Sequence, residues 1–259
     1  MKPIIRLGYI DLSFHAASAA LVQRVLERHD YEVQVSAAPH EDMFRRYGAG
    51  AVDMLASAWL PASHGDYLAP YAAQTRTLGV LYRPYCIWGV PDYVPVDAVQ
   101  SVADLLRPEV ATRMTRLIQG INPGAGISRF SRAIVQQYGL DRLGYHFENG
   151  TQADCFVRYE QAHARREWCV VPLWHPQFLH HSHRIRPLDE PLGLLGGQDD
   201  ATLIVSEPFA RDMPAALLEE LNRLRPGNEV ISELDHSICR DGMSALQAAD
   251  AWLARSVAL

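Results

Sequence analysis

Apolar positions along the chain fall into short blocks, and their spacing switches between two periods. Ile4–Ile10 (IIRLGYI) reads as a short buried strand. Ala16–Arg28 follows with Ala17, Ala20, Leu21, Val25 and Leu26 at helical spacing. Tyr31–Ser36 (YEVQVS) alternates and predicts a second strand, Glu41–Tyr47 a short helix, and Ala51–Leu55 (AVDML) a third strand. This β-α-β-α-β order is that of an α/β protein with a mainly parallel sheet.

The pattern then repeats with different punctuation. Thr77–Val90 is apolar, broken by Gly79, Pro84 and Gly89. Ser101–Leu106 predicts a short helix closed by Pro108, Arg116–Ile121 a strand running into NPGAG, and Ser128–Tyr138 a helix ended by Gly139. Phe156–Arg165 predicts a helix and Trp168–Leu173 (WCVVPL) a buried strand, followed by a loop rich in aromatics and His. Ala201–Ser206 is a further strand, and Pro214–Leu224 and Met243–Arg255 are closing helices. The middle therefore predicts a second α/β unit, residues 87–189. Residues 1–86 and 190–259 form a first, discontinuous one. No linker is long enough to separate independent domains.

Composition narrows the function. The chain has 259 residues, 48% hydrophobic and 21% charged, enough for a sizeable core. Lys+Arg 24 against Asp+Glu 30 gives a net charge of −6, which argues against general nucleic-acid binding. Lys2 is the only lysine, so Schiff-base and P-loop chemistry are removed. No run of about 20 apolar residues is present for a membrane span; even Ala49–Leu60 is broken by Asp53. The N-terminal MKPIIRLGYIDLSFH does not read as a signal peptide. A periplasmic site is expected if a leader was removed, a cytoplasmic one otherwise. Cys86, Cys155, Cys169 and Cys239 contain no Cys-x-x-Cys pair, so free thiols are expected.

Catalytic patterns are missing. Gly120, Gly124 and Gly126 follow a strand and open a helix, a suitable place for an anion. Arg129 stands where a dinucleotide fingerprint needs its third Gly, however. There is no G-x-S-x-G and no HExxH. His175, His180, His181 and His183 cluster after Trp174, and His181/His183 would share one face of a strand. No carboxylate follows at ligand spacing, so the stretch reads as a polar loop without a metal. Asp199/Asp200 and Glu219/Glu220 read as loop ends or solvated faces. The expectation is no enzyme, no cofactor and no metal.

Aromatics beside turn residues stand out instead. Trp59 lies after the third strand, and strand C-termini of open α/β sheets are where ligands bind. Trp88, Trp174, Tyr85, Tyr93, Tyr145 and Phe178 lie near similar breaks. Converging aromatic faces attract a quaternary ammonium by about 0.5–2 kcal/mol per contact. A zwitterion also needs a carboxylate anchor, and the turn Ser13–Ala16 at a helix start would offer backbone amides.

With these residues in view, the chain resembles the glycine betaine-type substrate-binding proteins of ABC transporters. The matching segments are GYIDLSFHAAS at Gly8–Ser18, GAGAVDMLASAWLPASHGDY at Gly48–Tyr67 and GVPDYV at Gly89–Val94. INPGAGI at Ile121–Ile127, YGL at Tyr138–Leu140 and VVPLWHPQFL at Val170–Leu179 follow in the family's order. They span the chain to about residue 206, and WLP-x-x-H-x-x-Y and PGAG are the most specific.

The resemblance implies a two-lobe type II periplasmic-binding-protein fold, with two crossover strands and a ligand cleft between the lobes. It also implies an aromatic cage, and hinge closure that delivers a quaternary ammonium solute to an ABC permease. It makes Trp59 and Trp174 cage walls, with Trp88, Tyr85 and Tyr145 as candidates for a third. It places His15 and Ala16 in the turn that meets the carboxylate. The polar side chain beside them is His64, His175 or Asn122. A cytosolic ligand sensor and an enzyme on the same fold are the alternatives.

Overall fold

Residues 2–256 are described by the structure, a computed structural model. The chain begins with β1 (Ile4–Ile10), α1 (Ser13–Arg28), β2 (Glu32–Ala38), α2 (His40–Gly48), β3 (Met54–Leu60), α3 (Gly65–Leu68) and β4 (Thr75–Tyr82). It continues through β5 (Tyr85–Pro91), α4 (Pro108–Ala111), β6 (Leu117–Gln119), α5 (Gly126–Gln137), β7 (His146–Glu148), α6 (Gln152–Ala164), β8 (Val171–His175), α7 (Leu179–Ser182) and β9 (Ile185–Pro187). It ends with β10 (Asp200–Ser206), α8 (Glu207–Asp212), α9 (Ala215–Arg223), α10 (Gly227–Cys239) and α11 (Ala245–Ser256).

These elements fall into two units. The first takes the chain up to Pro84, the short piece Pro176–Phe178 and everything from Asp199 onward. The second takes Tyr85–His175 and Leu179–Gln198. The second unit thus reaches Gln198 rather than 189. Bridges from Ser101 to Asp189 and from Tyr85 to Gln198 tie that stretch to other residues of the second unit.

The first unit is a five-stranded sheet in the order β2-β1-β3-β10-β4. β1 pairs parallel with β2 and β3, as alternating strands and helices require, and β10 returns antiparallel between β3 and β4. α1 buries Ala17, Ala20, Leu21, Val25 and Leu26, the apolar stripe of its sequence. Asp53, the charge that breaks the apolar run before β3, is buried. It accepts from the Arg6 backbone N–H at 2.8 Å and from Arg6 Nε at 2.9 Å. A charge that interrupts the sequence pattern is therefore a paired charge in the fold.

β3 departs from expectation in a way that matters for the site. It runs Met54–Leu60, not Ala51–Leu55, so Trp59 lies inside the strand rather than after it. Opposite β10, Ala58 pairs with Thr202 and Leu55 with Ile204. Ala56 and Ser57 thus face Leu203 alone, which is a β-bulge. Ser57 takes φ +54° there, the left-handed region that a non-glycine residue enters only at a cost. The bulge re-aims the residues that follow it.

The second unit has a three-stranded sheet, β8-β5-β9, and a parallel pair, β6-β7. β5 and β8 run antiparallel, with Tyr85 opposite His175 and Cys86 opposite Trp174. His181 lies in the short helix α7 and His183 just beyond it, so the two do not share a strand face. Helix α10 carries no counterpart in the sequence pattern described above. All four cysteines are free, as expected. Burial pushes the Cys155, Cys169 and Cys239 thiols up to about 12, so they stay protonated and unreactive.

Candidate ligand-binding site

In the first unit, the bulge brings β3 against the start of α1. Trp59 is 6% exposed, and its indole N–H donates to the Tyr82 hydroxyl at 2.9 Å. With its polar edge occupied, the ring offers its π-faces to other groups. Phe14 lies 5.3 Å away, His15 5.5 Å and His64 6.1 Å, centroid to centroid. The Trp59 backbone N–H donates to His64 Nδ1 at 2.9 Å, which leaves Nε2 of the neutral ring to carry the proton. His15 Nδ1 meets the hydroxyl of the strained Ser57 at 2.5 Å.

The turn that carries His64 is held from elsewhere in the sequence. Asp199 is buried and its carboxylate accepts from the Ala62 N–H at 2.7 Å and the Ser63 N–H at 3.1 Å. This corrects the reading of Asp199 as a solvated loop end; its neighbour Asp200 has that role, pairing at the surface with Arg83.

α1 starts without a side-chain cap, and the first amides of a helix have no intrahelical acceptors. The Ala16 N–H already donates to the Leu12 carbonyl at 3.0 Å. The anchor expected from this turn is thereby narrowed to His15 and the residues before it. Burial, followed by the nearby His40, lowers the His15 pKa well below the ordinary 6.5. The ring is neutral at neutral pH.

In the second unit, Tyr85, His175 and His180 form a ladder. Tyr85 stacks on His175 at 4.8 Å, and His175 on His180 at 3.5 Å. His180 Nε2 lies 3.1 Å from the Trp174 carbonyl. A cavity of about 370 Å³ beside them is lined by His175, His180, His183 and Arg186, among others. Burial lowers His175 to about 4; burial and then His175 itself lower His180 to about 3. Both rings are neutral at neutral pH.

Trp174 is the next-to-last residue of β8 and packs 6.0 Å from Phe156 in the first turns of α6. This is a strand C-terminus beside a helix start, the usual ligand position of an open α/β sheet.

The remaining candidates are placed differently. Trp88 is fully buried and donates from Nε1 to Ser131 Oγ at 2.8 Å. Tyr145 is buried, donates to the Leu105 carbonyl at 3.1 Å and lies under the Arg116 guanidinium. Both are committed to the core of the second unit. Asn122 is half-buried in the PGAG turn between β6 and α5, outside every named strand. Sequence reasoning read His180 and Asp199 as parts of polar loops, and did not single out Tyr82 or Ser57. The WLP-x-x-H spacing signalled His64, but nothing local signals Tyr82 on β4, which bonds the Trp59 indole, or Asp199 just before β10, which holds the turn ahead of His64.

Among the described residues, no group of three or more His, Cys, Asp or Glu is arranged to hold a metal ion. No described helix is long and apolar enough to cross a membrane.

A family model described as "Substrate binding domain of ABC-type glycine betaine transport system" matches residues 3–255. The glycine betaine/carnitine transport binding protein GbuC of Listeria monocytogenes serotype 1/2a (strain 10403S) is 23% identical over 147 residues. That is 57% of this chain and 48% of GbuC, so the chain spans about half the length of this curated relative.

Among solved structures, lactococcal OpuAC, closed and complexed with glycine betaine, superposes with TM-score 0.85 at 21% identity, covering 98% of this chain and 96% of that one. The glycine betaine/L-proline-binding protein ProX of Borrelia burgdorferi gives 0.84 at 21%, covering 96% and 91%. An ABC-transporter choline-binding protein in complex with choline gives 0.82 at 18%, covering 96% and 87%. These likenesses identify the fold as that of the two-lobe type II periplasmic binding proteins.

Proposed function

Because the chain belongs to the family of substrate-binding domains of ABC-type glycine betaine transport systems, we propose that it binds a quaternary ammonium solute and delivers it to an ABC permease. The observation that carries this reading is the pairing of tryptophan with neutral imidazoles. In the first unit Trp59 lies among His15 and His64; in the second, Trp174 precedes the His175–His180 stack. An indole face attracts a trimethylammonium group without supplying a counter-charge. A neutral imidazole donates one hydrogen bond to a carboxylate and does not repel the cation beside it. Charged histidines would oppose the same ligand.

The solute class is glycine betaine, choline, carnitine or a close relative. Trp59 and Trp174 are the proposed cage walls, Tyr85 the third aromatic, and His15, His64, His175 and His180 the polar partners. The protein works outside the cytoplasmic membrane, where such a component meets its permease. It binds without transforming its ligand: glycine betaine incubated with it is expected back unchanged.

Calorimetry tests the assignment directly. Trp59→Ala and Trp174→Ala are each expected to weaken glycine betaine or choline binding by about tenfold or more. Unchanged affinity in both variants would remove the cage. A thermal-shift screen over betaines, choline, carnitine and proline identifies the ligand, since a solute at 100 times its Kd stabilises by about 2.7 kcal/mol.

A further inference from the structure

We propose that Asp235, on α10, is a positioning residue that holds two parts of the ligand-binding machinery in place through one buried carboxylate. The side chain is 0% exposed. Oδ2 accepts from the Phe178 backbone N–H at 2.9 Å. Oδ1 accepts from the Cys239 thiol at 3.6 Å. The Ser13 hydroxyl completes the set.

These partners are the ends of two functional segments. Ser13 is the first residue of α1, two positions before His15. Phe178 closes the piece Pro176–Phe178, which belongs to the first unit and directly follows Trp174 and His175 of the second. Arg240, just after α10, lies over the Phe178 ring at 4.6 Å, a second contact between this end of α10 and Phe178. A single carboxylate therefore fixes where α1 begins and where the chain re-enters after β8. The inference rests on the quaternary ammonium reading for what those segments bind, but not for the geometry itself.

The chemistry argues for function over stability. A buried carboxylate with no cation against it costs free energy that an amide of the same shape avoids. Asn fits the site in shape: its oxygen can accept from Phe178, but its NH2 presents a donor where the Ser13 hydroxyl and the Cys239 thiol now donate. A purely structural role would be served by Asn as well or better. Asp differs in accepting from all its neighbours at once, which holds both segments together.

Asp235→Asn is compared with the natural protein by calorimetry with glycine betaine and choline, by thermal melting, and by hydrogen–deuterium exchange without ligand. The variant is expected to melt no lower, to bind about tenfold more weakly, and to exchange faster at the amides of Phe178 and of the Ser13–His15 turn. Ser13→Ala, which leaves the carboxylate, is expected to weaken binding and speed exchange in its own turn. Unchanged affinity together with unchanged exchange in Asp235→Asn overturns the proposal. If the natural protein binds no quaternary ammonium compound, the ligand reading fails instead, and the exchange rates alone decide whether Asp235 positions the two segments.

Discussion

The Trp59 indole N–H and the Tyr82 hydroxyl meet at 2.9 Å, both buried, across two strands of the first unit's sheet that do not pair with each other. The bond spends the polar edge of the tryptophan and fixes its tilt. Burial pushes the Tyr82 hydroxyl up to about 12, so it stays protonated and neutral. Tyr82→Phe leaves the indole N–H buried without this acceptor, at a cost of about 1–3 kcal/mol. A lower melting temperature and a weaker ligand affinity are expected together. A variant that melts lower but binds as before would separate the indole's orientation from recognition.

Asp199 reaches the site only through backbone. Its two oxygens take the Ala62 and Ser63 amides of the turn that ends at His64. Asp199→Ala removes a charged acceptor from two amides and is expected to cost about 2–3 kcal/mol in chemical denaturation. Asp199→Asn keeps one acceptor and is expected to lose about half as much. Equal stability of both variants with the natural protein would show that water replaces the carboxylate there.

How much of this was legible follows from where each constraint lies in the chain. β1 and α1 are visible because their apolar period is local and agrees with their packing. The end of β3 is not, because a bulge at Ser57 is set by pairing with β10, about 145 residues later, and strand boundaries are weakly encoded. Asp199 and Asp200 are adjacent letters with opposite environments, one buried and capping a turn, one at the surface with Arg83. Only the tertiary partners decide which is which: the Ala62 and Ser63 amides for Asp199, just before β10, and Arg83 for Asp200, its first residue. Helix α10 was unreadable for a related reason. Its buried face includes Asp235, a charge that breaks the apolar stripe and makes sense only once Phe178 and Ser13 are beside it. Trp88 and Tyr145 stand at loop-like breaks yet serve the core, because Ser131 and Leu105 supply the hydrogen bonds they need. The site was visible where a motif is contiguous and hidden where its support is tertiary.

Two sets of buried groups give stability opposite dependences on pH. His15, His175 and His180 all have folded pKa values depressed below the ordinary 6.5, His175 to about 4 and His180 to about 3. Below about pH 6.5 the unfolded chain binds protons that the folded one refuses, so stability falls as pH falls. The neighbours are Tyr85 and the cavity groups Asp92, His183, Arg184 and Arg186 for the stacked pair, and Ser57 and His40 for His15.

Asp235 acts the other way. Its carboxyl is raised from 3.8 to about 6, mainly by burial and with Ser13, Phe178 and Cys239 opposing. Between those values the folded state holds the extra proton, and stability rises as pH falls. The Asp235 charge in turn helps raise the buried Tyr82 hydroxyl on β4, and Arg240 lies across the Phe178 ring. Urea denaturation at about pH 7.5 and about pH 5.5 is expected to show a net acid loss, since three histidines oppose one aspartate. His180→Gln should flatten the loss and Asp235→Asn should steepen it. The same change in slope from both variants would mean that one of these groups titrates normally.

Ser57 joins strain and recognition in one residue. Its φ of +54° lies in the left-handed region, and its hydroxyl meets His15 Nδ1 at 2.5 Å. Holding a non-glycine residue there costs about 1–2 kcal/mol, and such residues persist where surrounding structure requires them. Ser57→Gly relieves the backbone but removes the hydroxyl; Ser57→Ala removes the hydroxyl and keeps the strain. Both variants are therefore expected to bind ligand more weakly, because each releases the His15 ring. They should differ in stability, with the glycine variant about 1 kcal/mol more stable than the alanine variant despite the entropy glycine adds to the unfolded chain. Calorimetry and denaturant melts on the pair measure the two effects separately. Equal melting of Gly and Ala would show that the bulge imposes no left-handed constraint. Full ligand affinity in both would show that His15 is held by Trp59 and His64 without the serine.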